Sequence, residues 1–268
     1  MAVASLPMYD LPELRAATDA WWQGLARAFR REGIEDVPVQ LDRRPTYRDV
    51  WQLPDLLFSQ TCGYPLTHVL AGRVELLATP CYAADGCKGP SYCSLIVVGE
   101  DHPVTTIADL RGARVAINSR DSQSGYSVLR SAVAPHARKG RYFASVTESG
   151  SHIGSLGLVA AGAVDVAAID CVTHALLAEY RPAVLQGTRI LERTASAPGL
   201  PYVTGSGLDP DRLDRLRTAV QRAFADPQLL GVRDALLLTG APVLPLSAYE
   251  RITELERAAI AAGYPEIA

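Results

Sequence analysis

The sequence predicts an α/β protein whose sheets are mainly parallel and flanked by helices. Three observations carry this prediction. Short apolar, strand-like runs alternate with helical patterns along most of the 268 residues, the order that builds parallel sheets covered by helices. The composition, 48% hydrophobic and 21% charged, is that of a globular chain rather than a disordered or fibrous one. Residues 80–90 (PCYAADGCKGP) concentrate turn formers and read as a crossing between lobes. The length allows one large domain or two lobes of roughly 100–150 residues each.

The elements follow in order. Residues 3–6 read as a first strand. Leu14, Ala17, Trp21, Leu25 and Ala28 recur at helical spacing, so residues 11–32 read as an amphipathic helix, with Pro12 in its first turn and Gly33 at its end. Residues 37–41 and 55–59 read as strands, 64–71 as helical and 74–79 as another strand. Strand character resumes at 95–98 (LIVV), and 107–112 is a helical turn closed by Gly112. Residues 115–118 form a strand running into a loop at 119–124, and 125–134 read as a helix ended by Pro135. A strand at 143–147, a helix at 151–162, a strand at 165–170 and a helix at 171–180 come next. Further strands lie at 188–192 and near Tyr202. From Asp209 onward the pattern is mostly helical, with Leu213, Leu216, Val220 and Phe224 on one apolar face and Tyr249, Ile252, Leu255 and Ala259 on another.

Charge and composition exclude several classes of function. A net charge of −3, with arginines scattered in short groups, leaves no basic footprint for nucleic acid. No apolar stretch approaches the ~18 residues of a membrane span. The first ten residues, MAVASLPMYD, carry neither a basic nor an apolar signal region. The expectation is a cytoplasmic protein, or a periplasmic one whose leader has been removed. Five cysteines, Cys62, Cys81, Cys87, Cys93 and Cys171, make an odd count that suits a reducing compartment, with one bridge within Cys81, Cys87 and Cys93 left open. P-loop, zincin, paired CxxC and GxSxG signatures are absent, and the five histidines are dispersed, so no metal and no cofactor is expected.

The strongest local feature is the run from Val115 to Tyr126, VAINSRDSQSGY. A strand passes into a loop of small hydroxyl residues, and a helix is expected at its end. Helix starts offer unpaired N–H groups, Ser122 and Ser124 add hydroxyls, and Gly125 permits close approach to the backbone. Together they suit a small oxyanion, although serine capping alone explains the same residues. Gly150-Ser151-His152 forms a second strand-to-helix junction, where His152 is either an anion donor or a local hydrogen-bonding residue. Gln60 and Thr61 lie in a polar run after a strand, at the carboxyl edge where α/β proteins bind ligands. Asp170 either binds a ligand amine or caps the helix after it. Tyr9 either closes over a ligand or fills a rim.

Read in order, these segments resemble the phosphate/phosphonate-type substrate-binding proteins of ABC transporters, a branch of the type 2 periplasmic-binding fold. The resemblance rests on SLIVV at 94–98, DLRG at 109–112 before VAIN at 115–118, SQSGY at 122–126, GSH at 150–152 and AGAVDVA at 161–167, ending at Asp170. It implies two α/β lobes with a ligand cleft between them, residues 1–84 and 190–268 forming the first and 85–189 the second. It implies that Ser122, Gln123 and Ser124 hold phosphonate or phosphate oxygens, with Gly125 and Tyr126 in the same loop and His152 as a further donor. Tyr9 is the implied lobe-one tyrosine. Val172 stands where aminophosphonate binders are expected to carry an acid.

The function implied is a non-enzymatic, monomeric protein that closes around a small oxyanion and serves an ABC-transporter permease. Two alternatives stay open. One is an enzyme of thiamine-pyrimidine type on the same fold with Cys62 as nucleophile, for which no base is evident nearby beyond His68. The other is a cytoplasmic ligand sensor.

Overall fold

The computed structural model describes residues 2–268. The chain forms two compact units. One comprises Met1–Ala83, Lys88–Pro90 and Pro198–Ala248; the other comprises Ala84–Cys87, Ser91–Ala197 and Tyr249–Ala268. Residues 190–197 and 249–268, expected in the first lobe, therefore belong to the second unit.

The first unit is built on a four-stranded sheet in the order Val3–Ser5, Leu56–Gln60, Tyr202–Gly205, Val74–Ala78. The first pair is parallel, and Tyr202–Gly205 runs antiparallel to both of its neighbours. The helix Arg15–Arg31 places Trp21, Trp22, Leu25 and Phe29 on one buried stripe, as the 3.6-residue period requires. Phe58 lies within 6 Å of Trp22, Phe29 and Tyr202 by ring centroids of 5.9, 5.6 and 4.8 Å. The Trp21 indole donates to the Tyr202 hydroxyl at 3.1 Å, so the buried polar tips satisfy each other.

Residues 37–41, expected as a strand, are irregular. Pro38 has no N–H to give a ladder, the Val37 amide turns back to Glu35 at 2.9 Å, and Val39 is 72% exposed. Only the Asp42 amide reaches the sheet, at the Ala4 carbonyl.

The second unit has five strands in the order Thr188–Arg193, Ser94–Gly99, Val166–Asp170, Arg114–Ile117, Ser145–Glu148. The last three are mutually parallel, and the first two pairings are antiparallel. Both large sheets are thus mixed rather than mainly parallel. Ser94–Gly99 and Tyr202–Gly205, each the first main strand after a passage from one unit to the other, are the strands that run against their neighbours. Val115, Ile117, Val166, Ala168, Leu129 and Val133 fill the core of this unit. Ala259, Tyr264 and Ile267 from the C-terminal segment join the same core. Arg130, almost wholly buried, pairs with Glu256 at 2.8 Å and donates to the Pro265 carbonyl at 2.7 Å, fixing that segment in place.

Candidate functional site

The three parallel strands of the second unit end at one sheet edge, and each end leads to a sequence-predicted site residue. Carboxyl edges of this kind collect loops and helix starts. After Arg114–Ile117 comes the serine loop, after Ser145–Glu148 the Gly150-Ser151-His152 junction, and after Val166–Asp170 the helix Cys171–Tyr180.

The serine loop does not open an ordinary helix. Ser122 caps a wide turn over Gln123–Ser127, its Oγ accepting from the Gly125 amide at 3.0 Å. The Ser127 amide reaches back five residues to the Ser122 carbonyl at 3.0 Å. An α-helix of only six residues, Val128–Val133, follows, so the expected helix over 125–134 is shorter and starts later. Its dipole is correspondingly weak. Residues 122–127 are all buried.

Gly125 earns its place by close approach. A Cβ there would stand 1.9 Å from Asn118 Oδ1 and 3.3 Å from His152 Cε1. The space expected for a ligand in front of this glycine is filled by the Asn118 amide. Tyr126 turns the other way: its ring lies in the core, and its hydroxyl accepts from the Ile267 amide at 3.3 Å. Its side chain is a core group rather than the ligand contact expected from the motif.

At the second junction Gly150 takes a φ of +79°, a left-handed conformation that favours glycine. Ser151 caps the nine-residue helix His152–Ala160, accepting from the Gly154 amide at 3.0 Å. This directs the His152 ring to the serine loop, where Nε2 lies 2.9 Å from Ser124 Oγ. Ser124 Oγ is in turn 3.5 Å from Ser122 Oγ. Two segments 28 residues apart therefore converge on one hydroxyl.

Burial pulls the His152 pKa down to about 4, against a smaller opposing effect from the Ala168 backbone. At neutral pH the ring is uncharged and carries one N–H. On Nε2 that proton is donated to Ser124 Oγ, leaving the serine hydroxyl proton for an incoming acceptor. On Nδ1 it leaves Nε2 to accept the serine proton, and the hydroxyl then offers only lone pairs. Only the first arrangement presents the serine proton to an acceptor.

Asp170 takes the capping role that the sequence offered it. Its Oδ1 accepts from the Val172 amide at 2.8 Å and the Thr173 amide at 2.9 Å, so it caps the helix after it. In the first unit, Gln60 is buried, and its amide donates to the Tyr82 hydroxyl at 2.9 Å and the Leu200 carbonyl at 3.0 Å. Tyr9 meets the same Tyr82 ring edge-on at 5.3 Å, and the Thr61 amide donates to the Pro201 carbonyl. A groove of about 690 Å³ in this unit is lined by residues 2–4, 35–42 and 44 and holds none of the candidates. Cys62 precedes the five-residue helix Gly63–Thr67 without a side-chain cap bond. His68 stacks on Tyr64 at 3.8 Å, and its Nδ1 lies 2.9 Å from both the Tyr64 carbonyl and Thr67 Oγ1. The base that a Cys62 nucleophile would need is thus engaged by its own helix.

The model of the family described as ABC transporter, phosphonate, periplasmic substrate-binding protein matches residues 7–240. The chain belongs to this family. Solved structures of low identity share the two-lobe periplasmic-binding fold. A binding protein component of an ABC phosphonate transporter from Pseudomonas aeruginosa is 16% identical with a TM-score of 0.78, over 98% of this chain and 87% of that one. PhnD1 from Prochlorococcus marinus, in complex with methylphosphonate, is 14% identical with a TM-score of 0.76, over 96% and 97%. A Xanthomonas citri protein bound to ATP is 19% identical with a TM-score of 0.73, over 98% of each chain. No curated protein matches.

For a phosphonate-family protein, sequence reasoning missed two residues of these sites. Asn118 follows the strand Arg114–Ile117 and was legible only as a strand residue, yet its amide packs on Gly125. Tyr82 sits in the turn-rich crossing and joins Tyr9 to Gln60; an aromatic among turn formers was the available signal. Among the described residues no helix is long and apolar enough to cross a membrane, and no cluster suits a metal ion.

Proposed function

We propose that this phosphonate-family binding protein takes a small phosphonate or phosphate oxyanion at the sheet edge where Ser122, Gln123, Ser124 and His152 meet. The observation that carries the reading is the 2.9 Å contact between Ser124 Oγ and His152 Nε2. A neutral, half-buried imidazole that fixes a hydroxyl's proton direction is a positioning device for an acceptor. It adds no net charge, so the ligand is held by oriented dipoles and hydroxyls. His152 acts through Ser124 rather than as the direct donor expected from the sequence. The protein carries out no chemistry on its ligand, delivers it to an ABC-transporter permease and works in the periplasm.

Titration of the full chain with methylphosphonate and inorganic phosphate, by calorimetry and by thermal shift, tests this. Ligand at about 100 times its Kd adds about 2.7 kcal/mol of stability, a rise of several degrees in Tm. Ser124→Ala removes the directed hydroxyl and, with it, about 1.5–3 kcal/mol of a hydrogen bond to a charged group, weakening binding tenfold or more. A panel of phosphonates and phosphate that leaves Tm unmoved, or a Ser124→Ala protein that binds as tightly, refutes the assignment.

A further inference from the structure

Three of the five cysteines come together in the second unit. Cys87 Sγ lies 3.6 Å from Cys171 Sγ, across 84 residues of sequence, and the neighbouring Cys171 thiol pushes the Cys93 pKa up. All are free thiols. Each is delivered by a different feature of the chain. Cys93 immediately precedes Ser94, which pairs with Asp170 in the antiparallel ladder, and the Cys171 amide continues that ladder to the Cys93 carbonyl at 3.2 Å. Cys87 arrives from the turn-rich segment, closing a turn on Ala84. Gly86 makes this approach feasible. Its φ is +104°, and a Cβ on it would stand 2.9 Å from Cys93 Sγ and 3.0 Å from Cys171 Cβ. The backbone beside Cys87 is therefore pressed directly onto the other two thiols, and a side chain there would push it off.

We propose that Cys87 and Cys171 are a redox pair that closes to a disulfide in an oxidising compartment. Cys171 and Cys93 are buried, whereas Cys87 is half-buried, so Cys87 is the thiol an external reagent reaches first. A small disulfide is the oxidant. The Cys87 thiolate attacks it, forming a mixed disulfide and releasing one thiol. Cys171 then attacks the Cys87 sulfur and releases the second. Two protein thiols are oxidised and one disulfide is reduced to two thiols. The bond ties the crossing segment Ala84–Cys87 to the first turn of the helix Cys171–Tyr180, at the sheet edge that carries the serine loop and His152. Hydrogen bonding to Cys87, then burial, holds the Cys171 thiol above its ordinary pKa, so closure is faster at alkaline pH.

The test uses the full-length, fully reduced protein incubated with oxidised glutathione. Thiols counted after denaturation fall from five to three, and a non-reducing peptide map links the Cys87 and Cys171 peptides. Cys87→Ser abolishes the link, Cys81→Ala leaves it intact, and Gly86→Ala lowers its yield severalfold. Cys87 is half-buried, so its serine variant folds even where a substitution at the buried Cys171 does not. A count that stays at five overturns the proposal. So does a stable glutathione adduct on Cys87, or a bond that uses Cys62, Cys81 or Cys93.

Discussion

Lowering the pH from 7 to 5 reads the burial of His152 directly. The folded-state pKa of about 4 lies below the ordinary 6.5, so the unfolded chain takes up the proton first. The neutral ring's contribution is full above about pH 6.5 and is lost as pH falls through the window down to about 4. At pH 5 an unfolded histidine is almost wholly protonated, and the folded one only about a tenth. The difference integrates to about 2 kcal/mol relative to pH 7. The residue keeps some contact with solvent, which brings the expected loss to about 1–2 kcal/mol. Urea unfolding of wild type and His152→Asn at both pH values isolates this share. His174, whose pKa burial also lowers, is present in both proteins and cancels. The variant should lose about 1–2 kcal/mol less than wild type between pH 7 and 5. An identical loss in the two proteins would show that the ring is not buried against the serine loop, and the positioning role argued for it would fall.

Three further substitutions probe the neighbouring supports. Gly125→Ala places a methyl 1.9 Å from Asn118 Oδ1; the displaced amide should cost about 1–3 kcal/mol in urea unfolding and weaken phosphonate binding. Asp170→Ala removes the acceptor of two amides and should lower stability by about 1–2 kcal/mol, with the change in helix docking visible as faster amide exchange at Val172 and Thr173. Glu256→Ala leaves Arg130 with 4% of its side chain exposed and no carboxylate partner at 2.8 Å, and should cost about 3–5 kcal/mol. Loss of protease resistance in the C-terminal helix would accompany it, and a neutral result would show that the ion pair does not anchor that helix.

Much of the site was legible because its signals are local. A serine two or three residues ahead of a turn's free amide caps it wherever the chain lies, so the roles of Ser122 and Ser151 follow from sequence spacing. The Asp170 cap is local in the same way, and the two readings left open for it differed only in which amides or amines lay within reach. The wide turn over Gln123–Ser127 was not legible. It contains Gly125, against which Asn118 lies, a contact between residues that no periodic pattern links. Residues 37–41 failed for a third reason: their apolar character is real, but Pro38 interrupts any ladder there.

The sequence by itself determined the α/β class, the order of the main strands and helices, and the resemblance that the family match over residues 7–240 bears out. These depend on hydrophobic period, caps and turn formers, all of which act over a few residues. Only the tertiary structure decided that Tyr249–Ala268 docks on the second unit. It alone decided that Tyr126 serves the core and that Ser124 meets His152. It alone gathered Cys87, Cys93 and Cys171 at one edge. An amphipathic stripe specifies that a face must be buried but carries no address for its partner. That address is set by shape and by pairs such as Arg130 with Glu256, which form only once distant segments are folded side by side.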